Sequence, residues 1–144
     1  MNTVATVGYE DRTVDDLIED LIKARVKTLV DVRLTPISRK TGLSKHRLAF
    51  RLQRVGIDYL HLPQLGNPRD NRAAFRRRDA DAVARYLAVL KALKARTALA
   101  QLVDLTQRHD IALMCFEQNA SECHRALVAD ALVEMNPCLT VTQL

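Results

Sequence analysis

Five short apolar runs, each separated from the next by a stretch of helical periodicity, constrain this chain more than any other feature. The runs are "TVATVGY" from Thr3, "TLVDVR" from Thr28, "IDYLHL" from Ile57, "IALMCF" from Ile111 and "CLTVTQL" from Cys138. Each reads as a strand, and "TLVDVR" is apolar enough to be buried on both faces. Between the first two, Val14, Leu17, Ile18, Leu21 and Ile22 repeat at the i, i+3, i+4, i+7 spacing of a half-buried helix. Thr13 stands in N-cap position there. Leu48, Leu52 and Val55 continue the theme after Ser44, and Gly56 follows where a helix C-terminal glycine belongs. Val83, Tyr86, Leu87, Leu90 and Leu93 predict a longer helix, and Leu99, Leu102 and Val103 another. A last helix is predicted over about residues 122–134.

Strands alternating with helices predict an α/β fold of three layers, a mostly parallel sheet of about five strands with helices on both faces. The length of 144 residues predicts one domain over 1–144. In such a sheet, functional side chains gather beyond the C-terminal strand ends. That places Tyr9 and Glu10, Asp31 and Arg33, His61, and Cys115 through Glu117 along one rim. The Gly- and Pro-containing segments "LTPISRKTGLSK" and "PQLGNPRDNR" follow two of these strands and are expected to fold over it.

Charge adds a second constraint. The net charge is +5, and all but one of the 22 Lys and Arg residues lie before residue 110. Seven basic residues and no acid occupy positions 32–57, and Arg69, Arg72, Arg76, Arg77 and Arg78 follow. Such a field attracts phosphate, free or in a nucleic acid, unless it merely solubilises a face. Ser38, Arg39, Lys40 and Lys45, around Gly42, read as a clamp on a phosphate-bearing ligand. Walker A and GxGxxG spacings are absent, which excludes the standard nucleotide loops. No apolar run approaches the ~20 residues of a membrane span. The N-terminus lacks a signal-peptide plan. Three cysteines, an odd number, are then expected as reduced thiols in a cytoplasmic protein.

The segments "TVGYEDRTVDDLI", "LVDVRLTPISRKTGLSK", "IDYLHLPQLGN" and "LMCFEQNASECHRALVADAL", in that order, resemble family 488 of the domains of unknown function. The resemblance spans nearly the whole chain. It implies an α/β fold and a site built from these four segments, and it supplies no activity. The family's usual "GYEG" reads "GYED" here, so the backbone freedom of a glycine is missing at Asp11.

Reactive side chains concentrate in "CFEQNASECHR", Cys115 to Arg125. With Ser121 as N-cap, Cys123 and His124 sit in the first turn of a helix. There free amides favour an anion and a thiolate. Arg125 adds a bidentate clamp. The competing reading has Ser121 capping, Cys123 packing and the other two solvated. Cys115, inside an apolar run, reads first as a small hydrophobe. The strand–Cys–loop–helix plan and "LVDVR" are similar to rhodaneses, while the Cys, five residues, Arg spacing of thiol phosphatases fails. Glu10 and Glu117 pair as general acid and base, or else hold Arg33 and Arg125 as ion pairs. Asp31, close to the core, is expected to orient Arg33 or accept backbone N–H groups. His61 reads as structural or ligand-binding. No CxxC or HxxxH pair marks zinc, and adjacent Cys123 and His124 on a helix diverge. No resident cofactor or metal is assigned, although magnesium arriving with a phosphate substrate would find Glu10, Asp31 and Glu117.

The function expected is binding of a phosphate-containing small molecule, a nucleotide, or a nucleic acid at the rim, with or without catalysis. Catalytic candidates are Glu10, Glu117, Cys123 and His124. Ligand-binding candidates are Tyr9, Arg33, Ser38, Arg39, Lys40, Lys45, His61, Ser121 and Arg125. A non-catalytic nucleic-acid-binding module is the main alternative and a rhodanese-like sulfurtransferase the weaker one. No membrane partner is expected.

Overall fold

The structure is a computed structural model, and it describes residues 2–144. Five strands form one sheet: β1 (Thr3–Gly8), β2 (Thr28–Asp31), β3 (Asp58–His61), β4 (Ile111–Cys115) and β5 (Thr140–Gln143). Their order is β3-β2-β4-β1-β5, and every pairing is parallel. Strand side chains alternate between two cores. Val30, Leu113 and Cys115 face one, while Leu29, Ala112 and Met114 face the other.

Helices α1 (Val14–Lys23) and α2 (Lys45–Arg54) cover the second face through Leu17, Leu21, Leu48 and Leu52. On the first face lie α3 (Arg72–Arg76), α4 (Ala80–Lys91), α5 (Leu93–Thr106) and α6 (Arg125–Met135). Tyr86, Leu90, Leu102, Val128 and Leu132 fill the core beneath the last three. The three-layer α/β expectation is met. No helix among the described residues is long and apolar enough to cross a membrane.

Local chemistry explains most element ends. Thr13 and Asp16 form a reciprocal capping box at the start of α1. Gly56, at φ +78°, turns the chain out of α2. Among the described non-glycine residues only Arg25 and Arg78 adopt positive φ, so Asp11 does without glycine's freedom. One expectation fails in detail. The apolar pattern from Val83 to Leu93 is two helices, broken at an extended Ala92, and Leu93 is 83% exposed. No Gly or Pro marks that break.

The connections create the site. From β1 the chain leaves over the α1 face toward β2, whereas from the adjacent β4 it leaves over the α6 face toward β5. Neighbouring strands whose connections diverge in this way open a crevice at their carboxyl ends. The residues leaving β4 close one side of it, and they lie against β1. A methyl group on Gly8 would overlap the Glu117 carbonyl, so only glycine lets the 117–118 backbone settle there. Gly8→Ala is expected to cost about 1–3 kcal/mol by overpacking. Urea unfolding measures it, and an unchanged midpoint would show that the loop lies free of β1.

Candidate functional site

Across the carboxyl ends of β1, β2 and β4 lies a cavity of about 330 Å³, within the range of small-molecule sites. Its floor is Cys115, Cys123 and His124, and its walls include Tyr9, Arg33, Asn67, Arg72, Arg76, Glu117 and Glu122. The segment after β2 forms the remaining side through Leu34, Thr35, Ile37, Ser38, Arg39 and Lys40. This strap is pinned at its base. Ser44 Oγ accepts from the Ser38 amide at 3.0 Å and donates to the Ser38 carbonyl at 3.2 Å. Its start rests on Gly66, where a side chain would come within 2.5 Å of Leu34 Cα.

Beneath the strap is a buried polar network. Asp31, fully buried, accepts from Arg33 Nε at 2.8 Å and from Arg33 Nη2 at 2.7 Å. The Arg33 amide and the Tyr59 hydroxyl also donate to the Asp31 carboxylate. Arg33 Nη1 donates to Tyr9 Oη at 3.0 Å and to the Leu43 carbonyl at 2.8 Å, tying β1, β2 and the strap together. Although burial opposes it, the carboxylate holds the guanidinium protonated, its pKa raised above the usual Arg value. Burial and Asp31 together push the Tyr59 phenol up.

The floor is held by a second buried cation. Arg125 is 1% exposed and turns inward. Its guanidinium donates to the Glu117 and Gln118 carbonyls and, from Nη1, to Cys115 Sγ at 3.1 Å. Among the described residues it has no carboxylate partner, and its Nε has no hydrogen-bond acceptor. Desolvation pushes its pKa down to about 10. Next to it, His124 Nε2 donates to the Val32 carbonyl at 2.7 Å. The neutral ring therefore bares Nδ1, which lies 3.5 Å from Cys123 Sγ. The Cys115 and Cys123 sulfurs meet as a disulfide between α-carbons 7.1 Å apart. Cys138 is free and exposed.

The family model described as Domain of unknown function DUF488 matches residues 13–132. The chain belongs to the DUF488 family. No curated protein and no solved structure matches it.

Several sequence expectations for this DUF488 chain are corrected at the floor. The helix does not open at Ser121. Ala120–Glu122 is a 3₁₀ turn capped by Asn119, whose Oδ1 accepts from both the Ser121 amide and hydroxyl. The α-helix starts at Arg125, and Cys123 is extended, so Cys123 and His124 do not occupy a first helical turn. Arg125 clamps its own backbone instead of presenting a fork to solvent. Glu10 and Glu117 do not pair with Arg33 and Arg125. Glu10 Oε1 instead accepts from the Gln118 amide, and Glu117 pairs with Arg76 at 3.0 Å. Two of the three thiols expected to be reduced are joined.

The cavity brings together Tyr9, Arg33, Ser38, Arg39, Lys40, Glu117, Cys123 and His124. Five other candidates lie outside its lining. They are the exposed Glu10, Lys45 at the start of α2, His61 donating to the Arg33 carbonyl at 2.8 Å, Ser121, and Arg125 behind the floor. Sequence reasoning undervalued Cys115 and passed over Asn67. It saw Arg72 and Arg76 only as part of a basic cluster. Their i, i+4 spacing, which puts both on one face of α3, was the available signal.

Two measurements test these contacts. Asp31→Asn leaves Arg33 buried without its counter-charge and is expected to cost about 3–5 kcal/mol of stability. A loss below ~1 kcal/mol, the scale of a surface pair, contradicts that account. For His124, burial depresses the pKa and outweighs the Val32 carbonyl, which favours protonation. The unfolded chain therefore takes up the proton first, and the stability due to a neutral His124 is complete above ~6.5. It declines as pH falls below that value toward the folded-state pKa. The drop in urea midpoint between about pH 7.5 and about pH 5.5 is expected to be smaller in His124→Asn, because that proton uptake is gone. Equal drops in both proteins contradict it.

Proposed function

We propose that the cavity binds a phosphate-containing ligand of nucleotide type and presents it to the cysteine pair on its floor. One observation carries this reading. Arg39, Lys40 and Arg72 border the cavity, and among the described residues none has a carboxylate partner, although seven other cations do. Unpaired cations converging on a concave site supply the charge-assisted donors a phosphate requires. Leu34, Ile37 and Phe116 add apolar surface to the same lining, of the kind that a base can cover.

The floor contributes chemistry as well as shape. In the reduced chain, Arg125 favours the thiolate of Cys115, and His124 Nδ1 is placed to accept the Cys123 proton. A sulfurtransferase or thiol-phosphatase reading has less support. Such chemistry uses backbone amides after the cysteine to hold an oxyanion. Here the amides of Gln118, Ser121, Glu122 and Cys123 are already engaged by Glu10, Asn119 and Ala120.

Isothermal titration of nucleoside mono-, di- and triphosphates against the reduced protein tests the proposal. Saturable binding is expected. Replacing Arg39, Lys40 and Arg72 by Ala should weaken it by more than ~10-fold, since a charged hydrogen bond contributes ~1.5–3 kcal/mol. Binding of DNA or RNA alone, with a steep salt slope and no response to nucleotides, would favour the nucleic-acid module instead.

A further inference from the structure

The floor carries a donor set that neither the phosphate reading nor the family explains. Cys115 Sγ, Cys123 Sγ and a Glu117 carboxylate oxygen lie within 4.8 Å of one another. Both sulfurs are buried, and Glu117 is half-buried. His124 stands beside the cluster with its bare Nδ1 on Cys123 Sγ. We propose that the reduced chain holds one zinc-class divalent ion on Cys115, Cys123 and Glu117, with His124 available as a fourth donor, facing the cavity.

Donor spacing supports a tetrahedral ion. With Zn–S of ~2.3 Å and Zn–N or Zn–O of ~2.0–2.2 Å, donors around one ion stand ~3.5 Å apart. Cys115 Sγ and Glu117 Oε2 are 3.6 Å apart, and Cys123 Sγ and His124 Nδ1 are 3.5 Å apart. The Cys115–Cys123 Cα separation of 7.1 Å lies beyond the ~4.4–6.8 Å usual for disulfides and leaves room for the reduced sulfurs to part around an ion. The objection from sequence, that adjacent Cys123 and His124 diverge on a helix, lapses because Cys123 is extended.

Outer contacts are those of a ligand shell. Metal-bound histidines donate their second ring nitrogen to a carbonyl or carboxylate, and His124 does so to Val32. Arg76 holds Glu117 by Oε1 and leaves Oε2 on the sulfur side. Arg125 donates to Cys115 Sγ and offsets the negative charge of two thiolates and a carboxylate around a divalent ion. Uptake releases one proton from each thiol to solvent. Thiolate and imidazole donors select zinc or a similar thiophilic ion over magnesium. With His124 bound, four protein donors complete the tetrahedral set of a closed zinc site beside the cavity.

The inference does not depend on the phosphate reading, because ion uptake is measured without a nucleotide. Reduced, chelator-stripped Cys138→Ser protein is titrated with cobalt(II) and the thiolate-to-cobalt absorption followed, then competed with zinc. One ion per chain is expected, displaced by zinc, with both floor cysteines shielded from alkylation. Glu117→Gln and His124→Ala should each weaken uptake by at least ~10-fold, since loss of even an outer-shell partner costs that much. Cys115→Ser and Cys123→Ser should each lose half of the thiolate band. If the reduced chain shows no such band and its cysteines alkylate equally with and without zinc, the proposal fails. It also fails if the Cys115→Ser, Cys123→Ser double variant keeps the band. Nucleotide titration of the metal-free chain reads the phosphate proposal separately.

Discussion

A guanidinium in the interior, Arg125, holds the loop after β4 in place, and the candidate site depends on that loop. Taking a cation out of water is costly unless its donors are met. Arg125 directs its Nη donors to two loop carbonyls and a sulfur, leaves Nε without an acceptor and, among the described residues, has no carboxylate partner. The 117–118 backbone is thereby drawn down onto β1, where Gly8 leaves room, and Glu117 is turned toward the sulfurs. The unbalanced charge also gives the floor an electrostatic preference for a negative sulfur. The loop's placement and the field at the sulfurs follow from one contact.

The Asp31–Arg33 pair plays the complementary part on the other side of the crevice. It is a satisfied ion pair, with every acceptor oxygen in use, and it braces the strap through Leu43 and β1 through Tyr9. It therefore shapes the wall and is not a free anion clamp. The unpaired cations, Arg39, Lys40 and Arg72, lie around it. Two buried arginines with their donors turned to the protein, and basic residues left unpaired and in reach of solvent around them, is a distinction that net charge alone does not reveal.

Much of the fold was legible because hydrophobic period is a local property. All five strands, the N-cap at Thr13 and the glycine exit at Gly56 could be read directly. The break at Ala92 carries no local mark and was missed. At the site, the rim was legible from parallel strands, which brought eight of the candidates to one cavity. The errors arose where a side chain chose a partner distant in sequence or a local competitor. Ser121 has the chemistry of an N-cap, but the Asn119 carboxamide captured its amide first. Arg125 was read as an anion clamp, or else as solvated, because charged residues usually face water, and only the folded loop supplies the carbonyls that bury it. Cys115 was read as filler for the same reason: its neighbour in space lies ten residues on.

The most direct test is the alkylation rate of Cys115 against pH, in a chain whose Cys123 and Cys138 are replaced by Ser. An apparent midpoint below the ~8.5 of a free thiol, returning toward that value in Arg125→Gln, is the result this account predicts. A midpoint at or above ~8.5 with Arg125 in place would mean that the buried guanidinium does not stabilise the thiolate, and the floor would then be packing alone.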